Sequence, residues 1–332
     1  MASYQPPFAI TNHMVKLVSE IAEKIGRLDR YQSLDAKPCL RRNNRIRSIH
    51  SSLAIEANSL SIDAVRGVID GKTVIGPVKE IQEVKNAYRA YDELGKFDPF
   101  SIDELKRLHG VMTYLTVDES GQFRRGEEGV FDGGRCIFMA PPAMRVSALM
   151  DDLFSWMKQA RKDVHPLILS SVFHYEFVFI HPFADGNGRM SRLLTTLLLY
   201  RNGFYVGKYI SLEAKIAKNK DLYYDALAQA QTGWHEGIED VVPFIKYLLG
   251  TILAAYKDFE DRVVLVETKL PALEMVRRAS KNRIGRFNKQ DIRELCPTLS
   301  DSSIEGALRK LVAADELKKE GRGKNTCYFR LN

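Results

Sequence analysis

Long hydrophobic runs are missing from this sequence. None of its 332 residues falls in a stretch approaching the roughly 18 consecutive apolar positions that a membrane-spanning helix needs. The most apolar stretch, Leu167 to Phe183, is interrupted by His174, Glu176 and His181. The opening residues MASYQPPFAITNHM lack the charged-then-apolar order of a secretory signal. No membrane partner and a cytoplasmic location are therefore expected. Cysteine is also scarce: Cys39, Cys136, Cys296 and Cys327 are the four present, too widely spaced for a disulfide framework or a zinc pattern. Reduced, mostly structural thiols follow from that. Strand signals are sparse as well, confined to 134–139 and 325–331, with none of the regular spacing of a sandwich or barrel. Internal repeats and low-complexity tracts are absent. A phosphate-binding loop is missing too: Gly67-Val-Ile-Asp-Gly71-Lys72-Thr73 is one residue short of GxxxxGK[ST] and follows a helical pattern where a strand is required.

What is present is ordinary globular composition, 45% hydrophobic and 27% charged, which excludes a wholly disordered or collagen-like chain. Most of it reads as helix. Ser101-Ile-Asp-Glu104 is an N-cap signature ahead of Leu105, Leu108 and Met112. Residues 84–94 repeat the helical spacing with Val84, Ala87, Ala90, Tyr91 and Leu94. The expected organisation is a helical region over 1–100, a motif-bearing core over 101–250, a connecting helix over 251–280 broken at Pro271, and a small domain over 281–332. The charge is uneven. Lys and Arg number 49 against 42 Asp and Glu, a net of +7, and 281–332 holds 12 basic against seven acidic residues. That points to an anionic partner only weakly.

The chemistry concentrates in residues 181–192, His-Pro-Phe-Ala-Asp-Gly-Asn-Gly-Arg-Met-Ser-Arg. The buried helix before it is expected to end just after His181, helped by Pro182. Asp185-Gly186-Asn187-Gly188 resists helix, and its two glycines let successive N–H groups converge on an anion. A second helix starting near Arg189 turns its N-terminus to the same point. Arg189 and Arg192, three apart, lie on one face. These groups suit a polyphosphate, and Asp185 suits Mg²⁺, which takes one or two carboxylates beside phosphate oxygens and water. His181 fits a general base for an incoming hydroxyl.

Ile180-HPFADGNGRMSR-Leu193 resembles the HPFx[DE]GNGRxxR motif of Fic domains at every fixed position. Around it, His174 and Phe177 resemble the family's motif helix. Gly121-Gln-Phe-Arg124 and the stretch from Gly134 to Pro142 are similar to its β-hairpin flap, in which Gly134, Arg135, Cys136, Ile137 and Phe138 would dock a target segment by strand pairing. Tyr223-Tyr224-x-x-Leu227 and Asp240-x-x-Pro243 resemble its C-terminal helices, and the two tyrosines are candidate nucleotide contacts. The resemblance implies a mainly α Fic fold with a small flap. It also implies transfer of AMP from ATP to a Ser, Thr or Tyr hydroxyl of a protein, this chain included. In that scheme His181 is the base and Asp185 holds Mg²⁺. Gly186, Asn187 and Gly188 form the anion hole, Arg189 and Arg192 meet the phosphates, and Phe183 packs beneath the loop. Another nucleotide donor, phosphocholine transfer and removal of AMP stay open.

Ser52-Leu-Ala-Ile-Glu56 resembles the family's inhibitory motif [ST]xxxE[GN], with Ala57 where Gly or Asn is usual and Asn58 directly after. The resemblance makes Glu56 an inhibitory carboxylate that occupies Arg192, in a class II arrangement with the helix ahead of the core. At the other end, helices expected around Phe287–Leu295 and after Ser300, then a hairpin around Gly321-Arg-Gly-Lys324, resemble a winged helix-turn-helix. Such a module implies a DNA or protein partner. A nucleotide-sensing DNA-binding regulator is thus the rival reading, and self-association stays open.

Overall fold

The computed structural model describes residues 4–28, 38–132, 135–267, 270–281, 286–296, 298–321, 323 and 326–330. Gly134, Pro297, Arg322, Lys324, Asn325 and Leu331, which figure in the expectations from sequence, lie outside the described residues. The chain divides into two compact units, residues 1–22 with 41–255, and 23–40 with 256–332.

In chain order the helices are α1 (Asn12–Leu28), α2 (Pro38–Ile55), α3 (Ile62–Ile69), α4 (Val78–Glu93), α5 (Ile102–Met112), α6 (Ala143–Ala160), α7 (Pro166–Ile180), α8 (Asn187–Arg201), α9 (Leu212–Lys218), α10 (Lys220–Ala230), α11 (Val242–Glu267), α12 (Ala272–Lys281), α13 (Lys289–Leu295) and α14 (Asp301–Ala313). The described structure also holds short 3-10 helices at Leu94–Lys96, Tyr205–Lys208 and Trp234–Glu236 and two antiparallel hairpins, β1 (Gly129–Asp132) with β2 (Arg135–Met139), and β3 (Leu317–Glu320) with β4 (Cys327–Arg330).

The larger unit is built on α7 and α8. Helix α7 is apolar on every side, and 13 of its 15 residues are buried. That is the pattern of a central helix. Ser170 and Ser171 are satisfied within the helix, their hydroxyls donating to the Pro166 and Leu167 carbonyls, whereas His174 and Glu176 find partners on other elements. Proline at its start and a left-handed residue followed by Pro182 at its end set its limits. Helix α8 has 12 of 15 residues buried and begins at Asn187, two residues before the position the sequence suggests. Ser101 caps α5 as expected, its hydroxyl accepting from the Glu104 N–H at 3.3 Å. Gly67 lies in α3 and Gly71 turns the chain out of it, so no strand-loop-helix cradle forms there.

The smaller unit packs α12, α13, α14 and the second hairpin around Val276, Ile292, Ile304, Leu308 and Leu311. Asn288 and Asp291 form a reciprocal capping box on α13, and Ser300 caps α14. Phe287 bridges to Tyr328 beside the hairpin.

Candidate active site

The junction of α7 and α8 carries the motif. His181 ends α7 in a left-handed conformation (φ 50°), its N–H bonded to the Phe177 carbonyl. A left-handed non-glycine residue costs about 1 kcal/mol, a strain typical of functional positions. Its Nδ1 lies 3.2 Å from the Val178 carbonyl. A carbonyl can only accept, so Nδ1 carries the proton and Nε2 keeps its lone pair. Burial pushes the imidazole below its ordinary pKa, with Arg124 acting the same way, while the Val178 bond, Glu56 and Asp185 oppose them.

Between His181 and α8 the loop is stapled by its own side chains. Asn187 accepts from the Phe183 N–H at 2.9 Å and donates to the Phe183 carbonyl at 2.6 Å. The Phe183 ring is fully buried and stacks on His109 with centroids 3.7 Å apart. His109 accepts the Gly121 N–H at Nδ1, so its Nε2 donates to the Asp185 carbonyl at 3.0 Å. Desolvation lowers this imidazole to about 4, which keeps it neutral and able to accept. Arg124 clamps the other side. Its Nε donates to the His181 carbonyl at 2.7 Å, Nη1 to Gly126 and Nη2 to Pro141, while its backbone N–H meets the Pro182 carbonyl.

The two motif glycines serve different purposes. Gly186 has φ 85° and caps α8, the conformation expected of a nest residue. Gly188 has no positive φ and lies inside the helix. A Cβ there would stand 2.2 Å from Glu56 Oε1 and 3.0 Å from Arg192 Nη1. The second glycine is required for close approach, not for backbone freedom.

Asp185 is half-exposed. Its Oδ1 accepts from the Gly186 N–H and from Arg189 Nη2 at 2.9 Å, while Oδ2 has Lys79 Nζ at 3.9 Å. Burial raises its pKa, but Arg189, the Gly186 bond and Lys79 together bring it below the usual carboxylate range. Arg189 is buried; its Nη1 lies 3.4 Å from Glu83, and neither Nε nor Nη1 donates a hydrogen bond.

Arg192 is held by the end of α2. Its Nε reaches the Ser52 hydroxyl at 3.3 Å, and Nη2 donates to the Ser52 carbonyl at 3.0 Å and to Glu56 Oε1 at 2.8 Å. Burial works to lower the Arg192 pKa, and Glu56 first among its neighbours reverses this, so the guanidinium is held above its ordinary value. The turn after α2 bonds the Asn58 N–H back to the Leu53 carbonyl, with Ala57 at φ 66°. The position where the motif departs from Gly or Asn is thus the left-handed one.

Tyr223 and Tyr224 lie in α10. Thr195 donates its hydroxyl to the Ser191 carbonyl, so His174 Nδ1 must donate to Thr195. His174 Nε2 then accepts from the Tyr223 hydroxyl at 3.0 Å. Tyr223 is therefore buried and committed to the core, whereas Tyr224 is exposed with Lys220 Nζ over its ring at 5.4 Å. The flap pairs Val130 with Phe138 and Phe131 with Cys136 around a bulge. Phe138 anchors it against Phe179, Trp234 and His235. Val130, Ile137 and Met139 are exposed, as is Cys136.

The structure brings His181, Asp185, Gly186, Asn187, Gly188, Arg189, Arg192, Ser52 and Glu56 into one neighbourhood. Sequence reasoning missed His109, Glu83 and Lys79, and did not foresee the clamp made by Arg124. Their only signal is a charged or polar side chain on an otherwise regular helix or loop, which single-sequence periodicity cannot separate from a solvated face.

The Fic/DOC family model matches residues 99–199. A Fic family protein from Desulfovibrio desulfuricans G20 is 35% identical, with a TM-score of 0.71 and 99% of each chain covered. This chain belongs to the Fic family. Among curated relatives, Protein adenylyltransferase Fic of Aedes aegypti is 30% identical over 213 residues, 61% of this chain and 39% of that protein. The Drosophila yakuba protein of the same name is 30% identical over 288 residues, 76% of this chain and 54% of its own length. The chain thus spans about half the length of these curated relatives.

Proposed function

We propose that the chain is an autoinhibited protein adenylyltransferase that moves AMP from ATP to a hydroxyl side chain of a protein. One observation carries the reading: His181 Nδ1 is committed to the Val178 carbonyl, which leaves Nε2 as a base beside a loop of anion donors. A target O–H gives its proton to Nε2 as its oxygen attacks the α-phosphorus. The bond from that phosphorus to the bridging oxygen breaks, and pyrophosphate leaves. Little covalent chemistry is asked of the protein beyond in-line positioning and charge stabilisation. Gly186, Asn187 and Gly188 offer the helix N-terminus, and Arg189 adds Nε and Nη1, which donate no hydrogen bond. Half-exposed Tyr224, beside Glu56 and Arg192, is better placed than Tyr223 for the nucleotide. The flap offers its exposed strand to the target.

Asp185 Oδ2, which has Lys79 Nζ at 3.9 Å, is the oxygen that would hold Mg²⁺. Among the described residues no group of three or more His, Cys, Asp or Glu could hold a metal, which suits an ion that also draws on phosphate oxygens. When bound, the ion would neutralise charge at the α- and β-phosphates.

Autoinhibition is supported by the Glu56–Arg192 contact, which occupies the guanidinium that would otherwise orient the γ-phosphate. For the C-terminal unit, protein contact is favoured over DNA. Lys289 on α13 pairs with Glu305 at 2.7 Å and Arg293 pairs with Asp301 at 3.1 Å, so carboxylates of α14 neutralise the nearby basic groups. Mass spectrometry of Glu56→Gly incubated with single nucleotides tests the main reading. An AMP adduct with ATP, lost in Glu56→Gly/His181→Ala, is expected. A gain with another nucleotide only, or adduct retained without His181, would overturn it.

A further inference from the structure

Two carboxylates of α4 reach the turn that carries Glu56. Glu80 Oε2 accepts the backbone N–H and the hydroxyl of Ser59, each at 2.8 Å. Glu83 Oε2 accepts the Asn58 side-chain amide, also at 2.8 Å. The other oxygen of Glu83 faces the motif: Oε1 lies 3.4 Å from Arg189 Nη1. Both side chains are withdrawn from water, 12% exposed for Glu83 and 3% for Arg189, where a charge pair is screened far less than at the surface.

The two motif arginines are held differently. Glu56 takes a hydrogen bond from Arg192 directly. Glu83 sits opposite Arg189 at ion-pair distance while Nε and Nη1 keep their hydrogens uncommitted. With Asp185 on Nη2, Arg189 is fixed between carboxylates of two elements and still has donors to give. A guanidinium oriented in advance loses less freedom when an anion arrives.

We infer that Glu83 is a positioning residue with two roles, holding Arg189 ready for a phosphate and fastening the Asn58 turn that presents Glu56. The inference rests on the proposed transferase activity. One carboxylate then joins a catalytic-loop arginine to the inhibitory turn, and the two roles separate by substitution. Glu83→Gln keeps an acceptor for Asn58 but removes the charge from Arg189. Asn58→Ala loosens the turn, removing its bonds to Glu83 and to the Glu80 carbonyl and the one it accepts from the Leu60 N–H, and leaves the Glu83–Arg189 pair intact.

ATP titration calorimetry on the full chain reads the positioning of Arg189. In the Glu56→Gly background, Glu83→Gln should weaken ATP binding about three- to tenfold, and Glu83→Asp should recover part of it. Unchanged affinity would overturn the positioning role. Tighter binding would overturn it too, by making Glu83 a second brake. Deuterium exchange reads the fastening of the turn. With Glu56 present, Asn58→Ala should speed exchange over residues 53–60 and raise AMP transfer several-fold. In Glu56→Gly it should leave ATP affinity unchanged. No change in exchange would remove the fastening role. Thermal unfolding of each variant separates these effects from misfolding. If Glu56→Gly binds ATP yet transfers no AMP, the transferase reading fails while affinity and exchange still decide the role of Glu83.

Discussion

Ala57 shows how one residue tunes the site. Its φ of 66° places a β-carbon in the left-handed region, where glycine sits without the clash. Replacing it with glycine should stabilise the larger unit by up to about 1 kcal/mol, seen as a rise of about 2–4 °C in thermal unfolding. A firmer turn should also lower the residual AMP transfer of the otherwise unaltered chain. Lower melting would show that the turn does not hold Ala57 under strain. His181 gives a second expectation at this scale. Because burial lowers its pKa, the rate of Glu56→Gly should climb with pH through a midpoint below 6.5 and level off at neutrality. A midpoint above 6.5 in the pH profile of kcat/KM would remove the buried imidazole from the base role.

Among the elements, the segment from Arg124 to the flap decides whether the motif loop is rigid. Three carbonyls from His181, Gly126 and Pro141 converge on one buried guanidinium. Lysine has one compact head and cannot span them. Arg124→Lys should therefore destabilise the unit by about 2 kcal/mol and lower kcat more than it raises KM for ATP, measured in Glu56→Gly. An unchanged kcat would mean that the clamp does not set the base. The flap depends on a different device. Phe138 packs on Phe179 at 4.7 Å and on Trp234 at 5.7 Å, so the hairpin is fastened to α7 through rings. Its register and bulge lie in local backbone pairing, whereas these ring contacts link positions far apart in the chain.

For the larger unit as a whole, buried titratable groups set an acid limit and an alkaline one. His109 and His174 are held at about 4 and about 3, below their ordinary 6.5. The unfolded chain binds their protons first, so stability falls as pH drops below 6.5. Buried Glu176 is pushed up to about 8 by desolvation and then by Glu239. The folded chain holds that proton longer, so its contribution is lost as pH rises toward 8. Between about 4.5 and 6.5 the lowered histidines, His181 among them, outnumber the raised glutamates Glu176 and Glu239, so stability rises with pH across that window. Denaturant unfolding should show maximum stability near pH 6.5, with losses at pH 5 and pH 8. A stability that keeps rising to pH 8 would contradict the buried, protonated Glu176.

The sequence by itself determined the helical class, the end of α7 at His181 and Pro182, the Ser101 and Ser300 caps and the loop between two helices at residues 181–192. Each of these is written in local spacing, in which neighbours along the chain are neighbours in space. Gly186 belongs with them, since its left-handed turn is a property of its own backbone. Gly188 does not, because the atom that forbids a side chain there is Glu56 Oε1, 132 positions earlier in the numbering. The order of elements in the small C-terminal unit was legible as well, but the pairing of Lys289 and Arg293 with α14 was not. The contact of Arg192 with Glu56 was expected from the family resemblance, but only the tertiary structure decided that Glu83 reaches Arg189 and Asn58 together and that Tyr223 faces inward to His174. Side chains distant in sequence acquire a partner, a protonation state and a role only when packing removes the water that would otherwise solvate each alone.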